Sequence, residues 1–152
     1  MRKKSLCLIT FVSVLVILLT IINTINNAKQ NIFTTEKINI DPALDEKIKY
    51  AINQLCKGNG VYLFNSEESH VVYFILDGTH VNSYGEALCF SDVKVETKDD
   101  LIMIYFSEGL KNYPFGKYPE QKLVYKITKD KNYNYIKIFK NGEETHFDGI
   151  GG

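Results

Sequence analysis

From Val61 onward the chain repeats one pattern. Short runs of β-branched and aromatic residues are each closed by turn residues. Such runs suit the pleated, half-buried surface of a sheet and constrain the fold more than any other feature. Val61 to Phe64 is the first run, and Asn65-Ser66-Glu67-Glu68 is its turn. His70 to Leu76 is apolar without alternation, as in a buried strand, and Asp77-Gly78-Thr79 closes it. Glu86 to Glu96 alternates around Leu88, Phe90, Val93 and Val95, and a phase shift near Ser91-Asp92 predicts a bulge. Leu101 to Phe106 pairs with it as a hairpin across Thr97–Asp100. Ser107 to Gln121, with two prolines and two glycines, reads as a long loop. Lys122 to Thr128 and Tyr133 to Lys140 are strands joined by residues 129–132. Asn141-Gly142 demands positive φ at both central positions of a type I′ turn, so Glu143 to Phe147 is a return strand.

Ahead of these runs stands one helix. Asp41 is suited to cap it and Pro42 to occupy its first turn. Leu44, Ile48, Ala51, Ile52 and Leu55 fall on one face, and Gly58 supplies the stop. The spacing predicts about 15 helical residues packed on a sheet. One helix and six or seven strands without β-α-β alternation predict an α+β fold: a mostly antiparallel sandwich or barrel-like domain over residues 41–148, followed by a flexible tail at 149–152.

The N-terminal segment sets the location. Leu6 to Ile22 contains no charge, and Arg2, Lys3 and Lys4 precede it. A spanning helix needs roughly 17–25 residues, so the run lies at the short end of a membrane span and the long end of a signal-peptide core. Only Ala28 follows it, without the paired small residues of a cleavage site. Residues 1–22 therefore read as an uncleaved anchor, with cleavage and secretion as the alternative. Under the positive-inside rule, both readings put Asn23 onward outside the cytoplasm. Residues 23–40 read as a polar tether.

Charge excludes one class of partner. The full chain carries 18 basic and 18 acidic residues. Beyond residue 28 there are 15 bases against 18 acids, a net charge of −3. No basic patch appears, which argues against nucleic-acid binding. Cys7 belongs to the apolar run. Cys56 and Cys89 are a candidate disulfide in an oxidising compartment, or two free core thiols.

No motif for catalysis or for a cofactor occurs. His70, His80 and His146 lie outside any metal-ligand spacing, so no metal or cofactor is expected. The charge pairs Glu67-Glu68, Asp99-Asp100 and Glu143-Glu144 fall in turns and read as solvated. Asp77 and His80 are close enough in sequence to share a hydrogen bond. A small surface hydrolase using Cys89 or Ser83 with His80 is one alternative, and a structural or immunity-type membrane protein is another. Two loops stand out by composition. Thr79 to Gly85 presents His80, Asn82, Ser83 and Tyr84, and the long loop presents Tyr113, Phe115 and Tyr118 between Pro and Gly. Aromatics of this kind give contact area at low ordering cost, so the two loops form a candidate recognition edge.

The order of these parts resembles the C-terminal domain of the PrcB family, named for a subunit of a surface protease complex. Val71 to Leu76 with Gly78 matches its apolar strand ending in Gly, Ser83-Tyr84-Gly85 its following loop, and Val93 to Phe106 its hairpin. Gln121 and Tyr135-Ile136-Lys137-Ile138 match its last parts. Asn82 and Ser83 stand where the family has paired glycines, and Pro114 and Pro119 are spaced differently. The resemblance covers about residues 42–147. It implies a non-enzymatic, secreted or surface β-domain with a protease as partner.

Overall fold

A computed structural model describes residues 32–39, 44, 46–112 and 122–152. It contains one helix, α1 (Glu46–Leu55), and nine strands. These are β1 (Thr34–Ile38), β2 (Gly60–Asn65), β3 (Val71–Asp77), β4 (Glu86–Lys98), β5 (Leu101–Asn112), β6 (Lys122–Thr128), β7 (Tyr135–Lys140), β8 (Glu143–Thr145) and β9 (Gly149–Gly151). They form two sheets, ordered β1-β6-β3-β2-β9 and β4-β5-β7-β8. All pairings are antiparallel except β2 with β9 and β5 with β7. The mostly β architecture with one helix agrees with the sequence. The segment 6–22 lies outside the described residues, and among these no helix is long and apolar enough to cross a membrane.

The five-stranded sheet is covered on both faces. Val61, Leu63, Val72, Phe74, Leu76 and Ile127 meet Phe90, Ile102, Ile104, Phe106 and Ile138 of the other sheet. On the opposite face, Tyr62, Val71, Tyr73, Ile75 and Val124 meet Ile52 of α1 together with Leu44 and Cys56. All seven residues of β3 are therefore buried, which is why its sequence is apolar without alternation. The four-stranded sheet covers one face only, and β5 alternates buried and half-buried residues from Leu101 to Phe106.

Several sequence expectations hold in detail. The pairing of β4 with β5 shifts register between Ser91 and Lys94, and Asp92 there has φ 54°. Asn141 (φ 52°) and Gly142 (φ 88°) form the turn from β7 to β8.

Other expectations are corrected. Thr34–Ile38, read as tether, is an edge strand paired with β6. Its first four residues are exposed and carry no apolar pattern; Ile38 alone of the strand packs against the core. Gly149–Gly151, read as a flexible tail, is a strand parallel to β2. Ser107–Asn112, read as the start of a loop, continues β5 because it pairs residue by residue with Glu86–Ser91. The expected helix is described over its 10 residues Glu46–Leu55; its expected start at Asp41 and Pro42 lies outside the described residues. Of the two readings left open for Cys56 and Cys89, the structure has the free thiols: Cys56 packs under the helix, while Cys89 lies on β4 with its thiol 3.5 Å from the Gly109 carbonyl.

Candidate functional site

Register gathers the loops at one end of the molecule. Gly60 begins β2, Asp77 ends β3 and Lys122 begins β6, and Asp77 is the cross-strand partner of both others. In the second sheet, Glu86 at the start of β4 pairs with Asn112 at the end of β5. The connections 56–59, 78–85 and 113–121 therefore all leave this end. Tyr113, Phe115 and Tyr118 lie in the third and fall outside the described residues.

Asp77 is the foot of this end. It is 1% exposed, the one charged side chain in the described core. Lys122 Nζ lies 3.0 Å from its Oδ2. Thr79 donates twice to Oδ1, from its backbone N at 3.0 Å and its hydroxyl at 2.6 Å. Both carboxylate oxygens are thus satisfied, as a buried charge requires. The next residue, Gly78, is set by close approach: a Cβ there would lie 2.2 Å from the Leu88 carbonyl oxygen on β4. The end of one sheet is thereby pressed against the other.

Two asparagines shape the loop beyond. Asn59 Nδ2 donates to the His80 carbonyl at 2.7 Å, and the His80 amide donates to Asn59 Oδ1 at 2.7 Å. This side chain ties the α1–β2 connection to the β3–β4 connection. Asn82 Oδ1 accepts from the amides of Tyr84 (2.9 Å) and Glu86 (3.0 Å), and its Nδ2 donates to the Glu86 carboxylate at 3.1 Å. Val81 bridges to Ala87, which closes the loop at its base. Tyr84 sits on this turn and is 85% exposed. Asn82 is therefore occupied in shaping the loop, while Tyr84 is free to make contact.

His80 does not bond Asp77. Thr79 stands between them, bonded to Asp77 through its hydroxyl, which is also 3.4 Å from His80 Nδ1. Neither Ser83 nor Cys89 is among the hydrogen-bond partners of His80. Cys56 lies near enough to feel the Asp77–Lys122 pair. Burial pushes its thiol up to about 11, with Lys122 opposing that shift and Asp77 adding to it. At neutral pH it is a thiol and a weak nucleophile. Tyr62, whose hydroxyl donates to the Gly58 carbonyl at 2.9 Å, is also held above its ordinary pKa, first by burial and then by Cys56.

Sequence reasoning missed Asn59, Thr79 and Lys122. Thr79 bonds Asp77 locally, two residues on, as Asp side chains do in turns. Lys122 comes in only through the register Asp77↔Lys122 and Asn59 only through the fold of the α1–β2 connection, and no local motif announces either. Two clefts of about 360 and 320 Å³ flank α1; they are lined by Leu44, Ile48 and Ala51 of the expected helix face and by Glu67 and Glu68, and by none of the candidate binding residues. Among the described residues no group of three or more His, Cys, Asp or Glu is arranged to hold a metal ion. Comparison with protein-family models, curated proteins and solved structures finds no match to this chain.

Proposed function

We propose that this protein is a membrane-anchored, extracytoplasmic binding or accessory domain that acts by recognition rather than catalysis. The observation that carries the reading is the build of the loop end. A buried ion pair and two asparagine clasps fix the base of a turn whose exposed tip is Tyr84. Rigid support beneath an exposed aromatic suits a binding loop, because little ordering remains to be done on contact. Tyr113, Phe115 and Tyr118 belong to a connection that begins and ends at the same end. The chain enters β1 at Thr34, opposite Thr128 and so at the other end of the sheet.

The anchor rests on the uncharged run Leu6 to Ile22 and the basic residues before it. A protease as the partner rests on the resemblance to the PrcB family alone. N-terminal sequencing of the membrane fraction tests the anchor: Met1 retained supports it, and a new terminus after Ile22 replaces it with a secreted form. Recovery of partners from solubilised membranes tests the loops. The chain with Tyr84→Ala and the triple Tyr113→Ala/Phe115→Ala/Tyr118→Ala should lose partners that the parent chain recovers. Unchanged recovery with both variants removes the loop assignment.

A further inference from the structure

β9 is an unusual strand. It has three residues, two of them glycine, and pairs in parallel with Tyr62–Phe64 of β2. Glycine weakens a strand, so intrinsic propensity does not explain it. What holds it is a set of close fits. Asp148, just before it, places its carboxylate Oδ2 2.8 Å from the Val61 amide, and its own amide donates to the Val61 carbonyl at 2.7 Å. Gly60 leaves a notch for that carboxylate, since a Cβ there would lie 2.6 Å from Oδ2. A Cβ at Gly149 would meet Tyr62 at 3.0 Å and Leu55 of α1 at 3.2 Å. One at Gly151 would meet Leu55 at 3.4 Å and Phe64 at 3.6 Å. Ile150 between them is 62% exposed. Asn65 Nδ2 donates to the Gly151 carbonyl at 3.3 Å.

The edge of β2, walled by Leu55, is thus a slot with four readable positions. A carboxylate fits the Gly60 notch, a residue without a side chain follows, any residue points to solvent, and a small residue closes. Adding an extended segment to a sheet edge is a common mode of peptide recognition. We propose that this slot is a recognition site for an Asp-Gly-X-Gly strand, and that residues 148–151 of a second copy of this chain can replace the resident segment. The sequence that fits the slot is the chain's own, so every second copy carries it. Its link to β8, residues 146 and 147, joins two different sheets, so the segment leaves one sheet without breaking the pairing of β8 with β7, and Phe147, which packs on Phe74 at the core, shifts with the link. Exchange of an identical element restores the strand's own contacts in the partner and is a low-cost route to a dimer.

The test uses two intact chains, both with Cys7→Ser and Cys89→Ser. One carries Asn65→Cys and the other Gly152→Cys, because a Cβ at Gly152 lies 2.7 Å from that of Asn65, within reach of a disulfide after a small shift. After mixing and mild oxidation, a linked dimer should exceed the Asn65→Cys plus Tyr84→Cys control pair by about tenfold or more. Adding Asp148→Ala to the Gly152→Cys chain should abolish it. A yield no greater than the control overturns the proposal. Should a cysteine variant fail to fold, a labelled peptide spanning His146–Gly152 is titrated into the parent chain. Saturable binding, weakened about tenfold or more by Asp148→Ala in the peptide, is expected. No binding, or equal binding of both peptides, overturns it.

Discussion

The two ends of the five-stranded sheet are built on different principles. At the loop end, β3 stops at a fully buried carboxylate held by Lys122 and Thr79, with Asn59 and Asn82 bracing the connections beyond it. At the other end, β2 and β3 are joined by a turn whose hydrogen bonds are local and exposed. Ser66 Oγ accepts from the Glu68 amide at 3.2 Å, and the backbones of Ser66 and Glu68 bond Val71. The loop end holds a buried charge whose two oxygens are both partnered, whereas the one buried side-chain polar atom without a hydrogen-bond partner among the described residues, His70 Nδ1, lies at the other end. A buried ion pair is a poor source of net stability, because desolvation offsets its attraction. Its presence at the loop end fits a positional role: it fixes where β3 ends and where the β3–β4 connection begins.

The largest expected effect breaks this contrast directly. Asp77→Ala leaves Lys122 without its partner and should cost about 3–5 kcal/mol by urea unfolding. Glu68→Ala at the other end should cost under about 0.5 kcal/mol. A paired replacement, Asp77→Leu with Lys122→Met, should recover most of the loss, since apolar groups of similar volume replace buried pairs well. If it also recovers partner binding, the pair has no positional role.

Gly78→Ala should cost about 1–3 kcal/mol, because its methyl would press on the Leu88 carbonyl and push β4 away. Asn59→Ala removes two hydrogen bonds and should cost about 1–2 kcal/mol. Hydrogen exchange should then rise at His80, whose amide loses its acceptor, and stay unchanged at the amide of Glu68.

The smallest effect concerns pH. Burial raises the Cys56 thiol from its ordinary 9.0 to about 11. The unfolded chain gives up this proton first, so between those values the folded state holds more protons. The contribution is full below about pH 9 and is lost as pH rises through about 11. Cys56→Ala should flatten that decline in a stability–pH profile, and in the parent chain alkylation of Cys56 at pH 8 should be slower folded than unfolded.

Much of the fold was legible because its signals are local. Asn141-Gly142 announces its turn, and the phase shift near Ser91 announces the bulge. β3 shows double burial in its unbroken apolar run. The two edge strands of the five-stranded sheet were not legible, for opposite reasons. β1 is too polar and exposed to show a pattern, and β9 is held by backbone bonds and by the absence of side chains. The partition of β6 and β7 into different sheets was also hidden, since each has a sound strand sequence and nothing in residues 129–134 states where the chain crosses. At the candidate site, Tyr84 was legible by type and position. Its support was not, because Lys122 reaches Asp77 only through register and Asn59 reaches His80 only through the fold of the α1–β2 connection.

The central claim is that the loop end is the recognition surface. Partner recovery from solubilised membranes tests it most directly when Tyr84→Ala at that end is compared with Glu67→Ala at the other, with both variants as stable as the parent chain. The account predicts that recovery falls with Tyr84→Ala and is unchanged with Glu67→Ala. Recovery that survives Tyr84→Ala and falls with Glu67→Ala would contradict it.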